Sequence, residues 1–200
     1  MTLQSALALA GHAALVACIA SPLLRRFPAR SRAALLAVVM ALVLAPLGIL
    51  PAAAYLRGAL GDLSVTSLVL LAAALLSSVI PRDFIGESTR RLLFPAVTAT
   101  AIVFYPFALG FTAFDPYGAG YGSHLMLGIL AALTFAAWFV RHHAIVVIIA
   151  TALAAQLGGA LESTNLWDYL LDPLLAVYAM IWCARRIRRH PAGSALPPTS

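Results

Sequence analysis

Apolar residues in this chain fall into runs of sixteen to twenty-four positions, separated by short segments that hold nearly all of the charge. An α-helix needs roughly 20 predominantly apolar residues to cross a bilayer. Six such runs are well delimited: Leu3–Leu24, Ala33–Leu56, Val65–Ile80, Leu92–Phe111, Ser123–Val140 and Ala144–Leu161. A seventh ends at Ala184. Counted only from Leu174 it would be about 16 Å long, far short of a bilayer core, whereas a start at Leu166 gives about 28 Å. The pattern therefore predicts an all-α fold, a polytopic membrane helical bundle of about seven transmembrane helices. It makes one domain of residues 1–190, with a Pro-rich disordered cytoplasmic tail over 191–200.

Proline adds detail. Pro46 and Pro51 predict a kink in the second helix, Pro95 and Pro106 in the fourth, and Pro173 in the outer half of the seventh. The first run has no basic segment ahead of it and is longer than a signal-peptide core, so it reads as a retained helix. No residue pattern recurs along the chain, and no inverted repeat is evident.

The charges then orient the bundle. With seven spans, twelve of the thirteen Arg fall on one side, in Arg25–Arg32, Pro81–Arg91, Arg141–His143 and Arg185–Arg189, and Arg57 alone falls on the other. The positive-inside rule places the N-terminus outside and the C-terminus inside. Five of the seven acids, Asp62, Asp115, Glu162, Asp168 and Asp172, share the outer side with Arg57.

Composition narrows the function classes. Hydrophobic residues make up 62% of the chain and charged residues 10%, against about 25% charged in soluble domains. No soluble catalytic domain fits into the remaining loops. The basic balance is spread between apolar runs rather than pooled, so nucleic acid is not an expected partner; the lipid bilayer is, together with other membrane subunits or a homo-oligomer. There is no Lys, so a Schiff-base retinal is excluded. Haem is not expected, because only His12 lies at mid-helix depth. Cys18 and Cys183 read as packing residues. The abundance of Arg and Ala suggests a GC-rich bacterial genome, and the expected location is the bacterial inner membrane.

Candidate chemistry concentrates in Glu162–Pro173, which holds three of the seven acids with Asn165, Trp167 and Tyr169. Asn165 and Asp172 both read as helix N-caps, and Asp172-Pro173 is a natural helix opening. A single straight helix cannot use both caps. It would also stack Asp168 and Asp172 at i, i+4, where like charges repel. The binding candidates are Asp115, His124, Glu162, Asn165, Trp167, Asp168 and Asp172. Carboxylate and imidazole together suit a divalent cation, while Trp, Asn and acids together suit a sugar. Within the membrane, His12 and Gln156 are the polar residues of interest, as a proton relay or a mutual hydrogen bond. No catalytic motif is present.

Three functions fit this pattern. The first is a small transporter or channel-like protein with an acidic binding site on its external face. The second is an accessory subunit of an envelope complex that assembles glycans or lipids. The third is an intramembrane enzyme acting on a lipid-linked or sugar substrate.

Overall fold

The computed structural model describes residues 2–111 and 114–189. The tail expected over 191–200 lies outside the described residues. The fold is all-α, with nine α-helices and one two-residue antiparallel ladder among the described residues. Seven of the helices are 15 to 22 residues long: α1 (Leu3–Ala20), α2 (Ala29–Leu44), α4 (Val65–Val79), α5 (Glu87–Ala108), α6 (His124–Phe139), α7 (His143–Leu157) and α9 (Pro173–Arg189). Two are short, α3 (Ala52–Leu60) and α8 (Leu166–Leu170). Two segments, Leu3–Leu24 and Glu87–Ala108, are long and apolar enough by themselves to cross a bilayer.

Long-range bonds tie the helices together at two ends. At one end Gln4 donates to the carbonyls of Gly159 and Leu161, and Arg57 bridges Asp62 and Glu162. At the other, Arg32 donates to Ser78 O, Thr89 meets His142, and Arg186 pairs with Glu87. Between the ends the packing relies on small residues. Ala13, Ala17, Ala152 and Ala179 are fully buried, which lets backbones approach closely. A Cβ on Gly11 would lie 2.5 Å from Leu68, a measure of how tightly α1 meets α4. Large apolar side chains point the other way: Ile102, Leu125, Ile129, Phe135 and Phe139 are exposed.

Two elements differ from the sequence pattern. The second apolar run is not one kinked helix. It stops at Leu44, and Ala45 is extended because the following Pro46 disfavours helical geometry before it. Pro46–Leu47 (β1) then pairs with Leu50–Pro51 (β2) before α3 begins. The seventh run is likewise two helices. Asn165 accepts from Trp167 N to cap α8, Leu171 turns extended, and Asp172 accepts from Leu175 N at 2.8 Å to open α9. Both caps are used because each serves its own helix. The predicted i, i+4 stacking of Asp168 and Asp172 is thereby avoided.

Candidate functional site

The structure distributes Asp62, Asp115, Glu162, Asp168 and Asp172 among separate partners. Arg57 makes a two-pronged contact with Asp62 and a single 2.9 Å contact with Glu162. Those carboxylates, Asp62 before Glu162, hold the guanidinium pKa above its ordinary value. The group is partly exposed, so each ion pair contributes about 1 kcal/mol or less. Asp168 accepts from Tyr117 OH at 2.9 Å and from Ser163 Oγ. Burial, then the bond to Asp168, pushes the Tyr117 phenol pKa up.

Asn165 is fully buried and locked: its Nδ2 donates to Tyr117 O and its Oδ1 accepts from Trp167 N. Trp167 stacks on Phe104 at 4.5 Å and donates through Nε1 to Pro116 O. These contacts fasten the 116–121 loop to α8. Asp115 accepts from Gly118 N, and His124 stands exposed at the start of α6. Among the described residues no three His, Cys, Asp or Glu side chains are grouped to hold a metal ion. The geometry does not assemble the acids into one cation site.

Asp172 is different, because it is buried. One carboxylate oxygen accepts from Ser64 N at 2.9 Å, Ser64 Oγ at 2.7 Å and Ser67 Oγ, while the other caps α9. The N-termini of α4 and α9 therefore both point at one carboxylate, and both helix dipoles stabilise its charge. His12 is also fully buried, with Nδ1 at 2.8 Å from Ala8 O and Nε2 at 3.1 Å from Gly61 O. A neutral imidazole carries one N–H, so the tautomer decides which carbonyl receives it. Gln156 does not meet His12; its Nε2 donates to Thr164 O at 3.3 Å.

His12 and Asp172 act on the same four residues, Gly61–Ser64. Gly61 takes φ +78°, a geometry suited to glycine, and its carbonyl meets His12. Asp62 is held by Arg57, and Ser64 by Asp172. Residues of this segment line two different cavities. A cavity of about 460 Å³ at the acidic end is lined by Ser5, Arg57, Gly61 and Asp62. A larger one, about 910 Å³, lies among α1, α4, α5 and α9 and is lined by Leu63, Ser67, Leu70, Phe94 and Tyr178, with Arg25, Arg32 and Arg90 at its far end. Asp62 and Leu63, adjacent in sequence, thus line different cavities.

The hydroxyls of Ser64 and Ser67 and the guanidinium of Arg32 were not singled out by the sequence. Serines in an apolar run read as close-packing residues, and Arg32 lies in a basic loop until α2 is seen to begin at Ala29. No protein-family model matches the chain, nor does any curated protein or solved structure.

Proposed function

We propose that this chain is a small multi-pass transporter of the bacterial inner membrane, and that Gly61–Ser64 is its gate. The observation that carries the reading is the pair of cavities, one lined by Gly61 and Asp62 and the other by Leu63, on a four-residue segment that His12, Arg57 and Asp172 hold. In this reading seven helices span the bilayer, with the N-terminus outside and the C-terminus inside. The exposed Ile, Leu and Phe side chains face lipid, since an exposed apolar surface of that extent has no favourable place in water. Helices of 15 to 17 residues reach about 22–26 Å. The shortfall of a few Å against a core of about 30 Å is taken up by bilayer thinning and by Arg side chains reaching to the headgroups. The larger cavity is mostly apolar with basic residues at one end, so the transported solute is an amphiphile.

His12→Leu tests the gate. With the imidazole proton on Nε2, the substitution leaves the Gly61 carbonyl without its donor, a loss of about 1 kcal/mol from the closed state. The expected result is a roughly fivefold faster transbilayer movement of a fluorescent phospholipid, read by dithionite quenching in vesicles containing the purified protein. Wild-type and variant rates both equal to those of protein-free vesicles would remove the transport reading.

A further inference from the structure

The basic end of the larger cavity is not balanced by acid. Arg90 is neutralised by Asp83 through two bonds of 2.9 and 2.5 Å. Arg25 and Arg32 have no carboxylate within ion-pair distance among the described residues. Arg32 spends its terminal nitrogens on the carbonyls of Ser78, Phe27 and Arg25, and its Nε is buried with no hydrogen-bond partner. Two cations line one end of a mostly apolar cavity and neither is paired with a carboxylate among the described residues, which calls for an anion attached to something apolar.

The dimensions say what is attached. The cavity wall follows α4 from Ser67 to Ser78, a rise of about 16 Å at 1.5 Å per residue. That is about half of a hydrocarbon core of about 30 Å, one leaflet. The volume of about 910 Å³ falls within the range of roughly 300–1,000 Å³ of ligand pockets. Basic pockets between spanning helices on the cytoplasmic side suit anionic lipid headgroups.

We propose that the cavity among α1, α4, α5 and α9 binds one net-negative phospholipid of the basic-side leaflet, its phosphate on Arg25 and Arg32 and its chain against Leu70, Leu71 and Phe94. The inference rests on the transport reading for the membrane placement of the cavity, and lipid binding is measurable without transport.

The test uses the full chain in detergent, titrated separately with phosphatidylglycerol, with phosphatidylcholine of the same chains, and with inorganic phosphate. Bound lipid is counted by native mass spectrometry, and occupancy is followed by maleimide labelling of Cys18, which lines the cavity. Phosphatidylglycerol is expected to bind at one per chain and to protect Cys18, and inorganic phosphate to do neither. Arg25→Gln should weaken phosphatidylglycerol roughly fivefold. Arg25 is exposed, so that variant keeps its fold even where Arg32→Gln, which loses three carbonyl contacts, does not. Ala74→Trp, placed at an exposed small residue of the lining, should block lipid without altering charge.

Equal affinity for the two lipids, unchanged by Arg25→Gln, would overturn the anionic clamp while leaving an apolar cavity. Protection by inorganic phosphate alone would make this a free-anion site and overturn the lipid assignment. Binding as expected without lipid movement across vesicles would sink the transport reading and leave the site standing.

Discussion

Asp172→Ala is expected to lower the melting temperature of the purified protein by roughly 6–12 °C. Four donors converge on this buried carboxylate: Ser64 N, Ser64 Oγ, Ser67 Oγ and Leu175 N. Removing the acceptor leaves buried donors unpaired, at about 1–3 kcal/mol for each that finds no substitute. The serine hydroxyls can rotate toward helix carbonyls, but the two backbone N–H groups cannot. A total near 3 kcal/mol gives the stated shift for a chain of this size. Asp172→Asn keeps an acceptor and a capping oxygen and should fall between the two. A melting curve for Asp172→Ala that overlays wild type would show that the α4 and α9 N-termini do not depend on this carboxylate.

The second large effect is steric. Gly120→Ala puts a Cβ 1.7 Å from Asn165 Oδ1, 2.6 Å from its Cγ and 2.9 Å from Trp167 Cδ1. Asn165 cannot swing away cheaply, because it is fully buried and bonded to Tyr117 O and Trp167 N. Overpacking of this kind costs about 1–3 kcal/mol, and displacing Asn165 adds about 1 kcal/mol for each bond lost. Melting of the single and double variants makes the claim specific. Asn165→Ala clears the space, so Gly120→Ala should cost far less in that background than in wild type. Additive costs would mean that the loop shifts independently of Asn165.

The two cap residues at these sites were legible in the sequence, because Asn and Asp-Pro carry local chemistry that needs no tertiary context. The sequence pattern joined α8 and α9 into one span, since eleven residues after Pro173 looked too short. The structure resolves this by continuing α9 through the Arg cluster to Arg189, where long basic side chains extend the helix past the apolar run. Pro46 was read as a kink because bulk hydropathy hides a two-residue ladder. Asp62 and Glu162 do meet Arg57, but the partners of the other acids depend on three-dimensional placement. Tyr117 and Ser163 take Asp168, and α4 takes Asp172. The larger cavity had no sequence signature at all. Its lining comes from four helices distant in the chain, and its decisive features are an unpaired Arg32 Nε and an uncompensated Arg25.

In the proposed transporter the two cavities face opposite sides of a membrane. Side-specific labelling of single cysteines tests this directly. Gly58→Cys, in a chain with Cys18→Ala and Cys183→Ser, places a thiol in the smaller cavity at a position where an added Cβ meets nothing within 4 Å. Cys18 alone, with Cys183→Ser, reports on the larger one. With a membrane-impermeant maleimide, the thiol at position 58 should react only from the outer face and Cys18 only from the inner face. Reaction of both from one face, or of Cys18 from the outer face, would contradict it.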